Sequence, residues 1–353
     1  MPLYMDLHRI PSITIEEAKK AHVADEAIQH KYGVKYLQFW CNEQAGSLFC
    51  LVEGPDKQTV EEVHRLAHGH VACAVVEVDP SYYSLIMGNN ILIDGGVVRD
   101  KSGEIDLGYR SIIVVAVRNM QEVQEGDATV RGLVHDAIAK NDGRSIELAG
   151  DDRLAGVFDS ASRALNCALA IAKDLDGHNE LSFSTGISAG EPVTEGNGFI
   201  EAAIRMAKNL CYLAGDDHII MSSLADELSA DDKVHKKKGK VKVLTPTEES
   251  FLSDLFSIID KRLFDEGLTI ESLVKDMGIS RPQLYRKIHG LTGRSPNNLI
   301  RDLRLEKAMS MLKRKTGNVS EIAFKVGFNN PSYFAKCFTE KFGRLPSVYL
   351  SEP

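Results

Sequence analysis

Across the first 80 residues the apolar positions switch between a period of two and a period near 3.6. LYMDLHRI, VKYLQFWC, SLFCLVEG and VACAVVEVDP read as strands. ITIEEAKKAHVADEAIQHKYG and KQTVEEVHRLAHGH read as helices, so the order is β-α-β-β-α-β. SYYSLIMGNNILIDGGVVRDKSGEIDLGY, rich in glycine and turn dipeptides, reads as a connector. A second alternating stretch follows: strand SIIVVAVRNM, helix TVRGLVHDAIAKND, hairpin SIELAGDDRLAGVF, helix SASRALNCALAIAKDL, strand ELSFSTGISAG, helix GFIEAAIRMAKNLCYLAG and strand HIIMSS. From Phe251 onward the pattern is helical and repeats itself. Ile270, Leu273, Val274 and Met277 share their spacing with Val319, Ile322, Ala323 and Val326, at an offset of 49. Gly278 and Gly327 follow where each helix must stop and turn. One inserted residue later, Leu284 matches Phe334, Arg286 matches Lys336, Ile288 matches Phe338, and GRSP at Gly293 matches GRLP at Gly343.

These patterns predict a multidomain chain. Residues 1–80 form an α+β domain of the split, ferredoxin-like kind, with helices on one sheet face and the other face left for something else to cover, often a partner subunit. Residues 81–109 connect it to an α/β domain over 110–244, and 245–353 form an all-α domain with two copies of one helix-turn-helix unit.

Composition supports several cores, with 353 residues, 43% hydrophobic and 26% charged. No apolar run approaches a membrane span, and MPLYMDLHRIPS lacks the regions of a secretory leader, so a cytoplasmic, nucleoid-associated location is expected. Six cysteines without a C-x-x-C pair suit a reducing compartment. The net charge of -8 is unevenly placed. Phe251 to Pro353 carries 17 Lys+Arg against 11 Asp+Glu, so +6, which leaves -14 for residues 1–250. A basic third on an acidic body is the electrostatic outline of a nucleic-acid-binding module joined to something that is not one. Six lysines between Lys233 and Lys242 read as a solvated linker or edge strand.

Each C-terminal unit reads helix, glycine turn, helix. Ser280 with Gln283 makes a capping box at the start of RPQLYRKIHGLTG. Leu284, Ile288 and Leu291 form its buried stripe and Arg281, Tyr285 and Arg286 project outward, with Lys287 beside them. In the second unit Phe334, Cys337 and Phe338 pack inward while Ser332, Tyr333, Lys336 and Lys341 face out, after Asn330 and Pro331. Apolar residues hold such a helix while arginine and lysine reach guanine or phosphate in the major groove. NNLIRDLRLEKAMSMLKRKTG, a long amphipathic helix, spaces the two readers about one turn of DNA apart. Residues 251–353, with ISRPQLYRKIHGLTGRSP and GFNNPSYFAKCFTEKFGRLPSVYL, resemble the DNA-binding domain of AraC/XylS-type transcriptional regulators. The resemblance places base reading on Pro282, Tyr285 and Arg286, and on Pro331, Ser332, Tyr333 and Lys336. The two prolines offer no side-chain donor and position the backbone instead.

The middle block, through GRSIELAGDDRLAGVF and FSTGISAGEPV, resembles class III nucleotide cyclases. Catalysis there requires two metal-binding aspartates with an asparagine and an arginine. Only Asp151 matches: Ala116 or its neighbour stands at the other aspartate's place, Arg205 and Asn209 fall where the asparagine and arginine belong, and Glu147, at the purine-selecting position, suits guanine. One carboxylate does not hold two divalent ions well, so the expectation is no enzymatic activity and a hairpin-turn role for Asp151 and Asp152, with a retained nucleotide pocket on Glu147 and Asp151 as the other reading of these residues. The alternative is a cyclase tied to a DNA-binding tail.

MDLHRI, AHVADEAIQHKYGVKYLQFW, FCLVEGPD and VHRLAHG resemble a family of small ferredoxin-like domains, one branch of which binds nickel. Tyr4, Asp6 and His8 alternate onto one strand face, and His64 and His68 stand four apart on a helix, a spacing that can hold one metal. The resemblance implies nickel or another divalent transition metal as cofactor, on Asp6, His8, His64 and His68. Together these features predict an AraC-type transcription regulator, with activator and repressor both left open by the sequence. The expected partners are double-stranded promoter DNA, RNA polymerase and a second copy of the chain, with no membrane; a metal-responsive regulator is the other alternative.

Overall fold

The computed structural model describes residues 1–88, 92–100, 102–119, 126–148, 151–176, 181–215, 218–229, 241–265 and 267–351. The first domain follows the expected order: β1 Leu3–Arg9, α1 Ile15–Gln29, β2 Lys35–Asn42, β3 Ser47–Glu53, α2 Lys57–Ala67 and β4 Ala74–Val78. Thr14 and Glu17 close a capping box on α1, and Asp56 accepts from the Thr59 amide at the start of α2. The stretch expected as a connector does more than connect. It holds α3 Pro80–Met87 and a hairpin of β5 Leu92–Asp94 and β6 Val97–Arg99, and β6 pairs parallel with β2 to extend the sheet to the order β4-β1-β3-β2-β6-β5. Val97 and Val98 are both fully buried, one on each sheet face, which is the reason the glycine-rich hairpin folds back.

The second sheet has β7 Arg110–Asn119, β8 Arg144–Ile146, β9 Leu154–Phe158, β10 Leu181–Gly190, β11 His218–Met221 and β12 Val241–Val243, in the order β12-β11-β10-β7-β9-β8. Its helices are α4 Gly126–Lys140, α5 Ala161–Leu175, α6 Glu201–Leu213 and the short α7 Ser223–Glu227. Lys242, at the end of the lysine run, lies on edge strand β12; Lys233 to Lys240 lie outside the described residues.

The two sheets share a core. Leu3, Met5, Leu7, Trp40, Phe49 and Leu51 point to one face of the first sheet and pack with Ile112, Val114, Ile146, Ala155 and Val157 of the second, with Ile86 and Met87 of α3 between them. The sheet face expected to need a cover is therefore covered within the chain, by the second sheet and α3. The opposite face of the first sheet carries Tyr4, Phe39, Cys41, Cys50 and Val52 against α1 and α2. The opposite face of the second sheet packs Ile113, Val115, Phe183 and Ile187 on α4 and α5.

Helix α6 lies on the seam side of β10, over Ser184, Gly186 and Ser188. Its Ala203, Ala207 and Cys211 join the seam while Leu210 and Leu213 join a third core with the C-terminal domain. That domain runs α8 Pro246–Arg262, α9 Ile270–Met277, α10 Arg281–Thr292, α11 Pro296–Lys313, α12 Val319–Lys325, α13 Pro331–Phe342 and α14 Pro346–Ser351. Its two units have separate cores, one around Leu255, Leu273, Leu284 and Ile288, the other around Leu312, Ile322, Phe334 and Phe338.

Candidate functional site

In the first unit α9 ends at Gly278, whose φ of 62° lies in the left-handed region, and α10 begins at Ser280. Ser280 and Gln283 form the expected capping box, so the Gln283 side-chain oxygen is engaged by the Ser280 amide and hydroxyl. Leu284, Ile288 and Leu291 are buried, which holds Arg281, Pro282, Gln283, Arg286 and Lys287 in solvent and leaves Tyr285 half-buried. Arg281 is tied down, 3.3 Å from Glu271 and over the Tyr285 ring. Lys287 sits 4.7 Å over the Phe251 ring. Arg286 is exposed and makes no ion pair among the described residues.

The second unit repeats this with different caps. Asn318 and Glu321 box the start of α12, Gly327 turns at φ 82°, and Asn330 accepts from the Ser332 and Tyr333 amides at the start of α13. Phe334, Cys337 and Phe338 are buried; Ser332, Tyr333 and Lys336 are exposed and Pro331 is half-buried. Lys341 differs from the others, with a side chain 18% exposed and 3.1 Å from Glu306. Each recognition helix thus presents the N-terminal part of its polar face, the part that enters a major groove.

A second cluster lies in the first domain, between the helix-facing side of the sheet and α1 and α2. Asp6 and His8 point from β1, Cys50 from β3 directly opposite Asp6, and His64 from α2. One ligand atom from each of these four buried residues lies within 4.8 Å of the others. His64 Nε2 is 2.7 Å from Asp6 Oδ2, and its Nδ1 is 3.2 Å from Asp25 Oδ2 on α1. His68, at the C-cap of α2, reaches Asp25 at 3.3 Å. Asp25, His64 and His68 form an overlapping second triad. Both structures of the site sit on a cavity of about 370 Å³ lined also by His22 and His70.

The electrostatics are those of a buried anionic pair around an imidazole. Burial alone would raise the Asp6 carboxyl, but the charges and hydrogen bonds of His64 and His8 hold it well below its ordinary range. Burial lowers His64, and Asp6 and Asp25 outweigh it, so it is pushed up to about 10. Burial drives the Cys50 thiol far up. Among the described residues His8 Nδ1 is buried without a hydrogen-bond partner, and so are Asp25 Oδ1 and His22 Nδ1. The set fits a divalent transition metal, since imidazole, carboxylate and thiol donors converge and His8 Nδ1 has no hydrogen-bond partner among the described residues. Sequence spacing pointed to Asp6, His8, His64 and His68 and missed Cys50 and Asp25. The readable signal for Cys50 was strand pairing, because β1 and β3 run antiparallel with Asp6 opposite it; Asp25 needed the packing of α1 on α2.

In the middle domain Glu147 is exposed, while Asp151 lies beside Arg153 and 2.9 Å from Lys208 of α6. Burial would raise the Asp151 carboxyl and these two cations hold it low. Arg153 also donates to the Lys208 carbonyl, so the carboxylate pins the hairpin to α6. Next to it, Asp152 is 3.2 Å from Lys313 at the end of α11.

Residues 273–352 match the family described as "Helix-turn-helix domain", and residues 4–78 match "Nickel responsive protein SCO4226-like". The chain is 33% identical over 124 residues to histidine kinase P4 of Formosa agariphila, covering 33% of this chain and 9% of that protein. It is 32% identical over 95 residues to the HTH-type transcriptional regulator MtrA of Neisseria gonorrhoeae, covering 27% of this chain and 31% of the regulator. The chain therefore spans less than a third of the length of either relative. The solved structure of SCO4226 from Streptomyces coelicolor A3(2) is 38% identical over 22% of this chain and 94% of its own, with a TM-score of 0.21. No helix among the described residues is long and apolar enough to cross a membrane. The C-terminal part of the chain is an AraC-type helix-turn-helix domain, and its N-terminal domain belongs to the nickel-responsive SCO4226-like family.

Proposed function

We propose that the chain is a sequence-specific DNA-binding transcription regulator of the AraC type, with no catalytic activity of its own. The observation that carries this reading is the pair of recognition helices, each held by a buried apolar stripe while Arg286 on one and Lys336 on the other stand in solvent. Base reading falls on Tyr285 and Arg286 in the first helix and on Ser332, Tyr333 and Lys336 in the second. Arg281 and Lys287 serve as phosphate contacts, Lys341 as a structural cation, and Pro282, Gln283, Asn330 and Pro331 set the helix starts. Promoter DNA and RNA polymerase are the partners, in the cytoplasm, and a second copy of the chain brings two readers to paired sites. Recovery of bound DNA from the whole genome should return a shared motif near promoters, and random recovery would end this reading. Sedimentation on operator DNA at one chain per site would remove the dimer.

The middle domain is read as a cyclase-like scaffold. Asp151, the single matching metal aspartate, is engaged by Arg153 and Lys208, which argues against two divalent ions there. Cyclic product from GTP or ATP with Mn²⁺, lost on Asp151→Ala, would revive the enzyme.

A second reading concerns what the regulator senses, and the buried donor set favours it. Asp6, His8, Cys50 and His64 would hold nickel or a similar divalent ion, with Asp25 and His68 bracketing the far side of His64. The ion would supply positive charge where two buried carboxylates now face one raised imidazole. Calorimetry with Ni²⁺ should show heat that vanishes when His8, His64 and His68 are all replaced by alanine; equal heat from both proteins would end it.

A further inference from the structure

Helix α11 is shared by the two helix-turn-helix units, and their cores meet it at different places, Leu299 and Ile300 in the first and Leu305, Ala308 and Leu312 in the second. Between these two contact zones stands Arg304. Its Nε donates to the Leu263 carbonyl at 2.9 Å and one Nη to the Asp265 carbonyl at 2.9 Å. Both carbonyls belong to the first unit, in the turn where α8 ends and its last carbonyls have no helical partners. The other Nη donates to the Gly327 carbonyl at 3.0 Å, in the glycine turn of the second unit. One planar guanidinium thus holds both units from the helix between them, and the fixed fork of arginine suits three carbonyls in a way that an ammonium does not.

Gly327 is shaped for this seat. A Cβ there would stand 2.9 Å from the Arg304 Cζ and 3.0 Å from its Nε, and the backbone φ of 82° is one that side chains rarely adopt. The loop on the other side is itself braced, since Arg262 reaches both Asp265 and Asp276 of α9. Arg304 therefore joins the loop of the first unit that Arg262 braces to the turn that aims the second recognition helix.

We infer that Arg304 is a positioning residue for DNA recognition: it fixes the angle and separation of the two recognition helices, and so sets the spacing between half-sites without reading a base. This inference rests on the DNA-binding reading above. The physical stake is geometric, because one base pair added between half-sites moves the second by about 3.4 Å along the duplex and about 34° around it. A rigid pair of readers cannot follow such a shift, whereas a pair joined only through α11 and its apolar contacts can.

The test uses the full chain. Wild-type protein selects a bipartite site from random duplexes, and binding is then measured on that site and on versions with one base pair removed or added between the halves. Wild type should lose about tenfold or more on either altered spacing, comparable to a mismatched base pair. Arg304→Met, which keeps the apolar stem, should bind the selected site more weakly yet treat the three spacings within about threefold of one another, with base preference inside each half unchanged. Arg304→Lys keeps charge and stem but reaches fewer carbonyls, and should fall between. Circular dichroism and thermal unfolding establish that each variant is folded, with Arg304→Lys deciding the matter if Arg304→Met is not. Spacing discrimination equal to wild type in the folded variants overturns the inference, and so does equal loss on all spacings together with lost base preference. Failure of wild type to select any sequence overturns the DNA-binding reading beneath it, a result distinct from either.

Discussion

Replacing Gly186 by alanine tests whether α6 is the member that joins the middle domain to its neighbours. Gly186 lies on β10 under α6, and a Cβ there would stand 2.1 Å from the Ala207 carbonyl oxygen, 2.3 Å from the Cys211 nitrogen and 2.9 Å from the Leu210 carbonyl carbon. All three are backbone atoms of a helix, so no side chain can swing aside. Real Cβ contacts stop near 3.0 Å, and α6 must withdraw by about 1 Å, a displacement of the kind that overpacking forces on backbone. That movement draws Ala203, Ala207 and Cys211 out of the seam and Leu210 and Leu213 out of the first reading unit's core. Overpacking costs about 1–3 kcal/mol, and with backbone as the obstacle the upper end is expected, about 3 kcal/mol. Gly132→Ala is the control: it is exposed on α4 with nothing within 4 Å of its Cβ, and alanine there should stabilise by about 0.5–1 kcal/mol. Urea unfolding followed by the fluorescence of Trp40, the chain's single tryptophan and fully buried in the seam, reads the relevant interface directly. A Gly186→Ala midpoint equal to wild type, at unchanged slope, would refute the seating of α6.

Four further outcomes are expected. Arg110 is buried and bonded to Asp106 at 2.8 Å, so Arg110→Met should cost about 3–5 kcal/mol in the same urea assay by leaving that carboxylate without its cation. Burial would raise Asp106 but Arg110 holds it low; its contribution is therefore full above its ordinary value, about 3.9, and is lost as pH falls through the lower folded value. Acid unfolding should accordingly be less steep in Arg110→Met, and an identical acid profile would contradict this. Arg286→Ala should cost about 1–3 kcal/mol at the selected site and relax one base position, whereas Lys287→Ala should weaken all sequences alike, both measured by fluorescence anisotropy. A fragment from Thr245 onward should bind random DNA more tightly than the full chain at low salt, since the acidic body is removed, with the gap closing as salt rises. If nickel alters operator affinity, by about fivefold or more, operator DNA must alter nickel affinity by the same factor; calorimetry in both orders checks the equality.

The C-terminal domain was legible because its signals are local. Capping residues, glycine turns and apolar stripes lie within one helix length of one another and occur twice, so Ser280, Gly278 and Leu284 could be placed without knowing any tertiary contact. The first domain was legible as an order of elements, and β1 shows where that stops. LYMDLHR is buried at every position but its last, because Tyr4, Asp6 and His8 meet helices while Leu3, Met5 and Leu7 meet another sheet. Periodicity identifies two faces but not what lies against each. The same limit hid Cys50 and Asp25, which reach the donor cluster through strand register and helix packing. Arg304 read as one more charge on an amphipathic helix, since its three acceptors are backbone carbonyls at 263, 265 and 327 and backbone leaves no mark in a residue pattern.

The middle domain supplies surface to both of its neighbours. A sheet with helices on one face must cover the other, and here the cover is the second sheet, through Ile112, Val114, Ala155 and Val157. The serine and glycine positions of β10 let α6 lie close on that sheet, and the outer edge of α6 offers Leu210 and Leu213 to the first reading unit. Asp151 contributes to the same end, since its bonds to Arg153 and Lys208 fasten the hairpin onto α6. Beside it Asp152 takes Lys313 from the shared helix α11. The donor cluster on β1, the seam on the reverse of the same strand, α6 and the first recognition unit therefore form one unbroken series of packed contacts. Among the described residues the second unit joins this series chiefly through α11, with Arg304 bonded to both units at that helix.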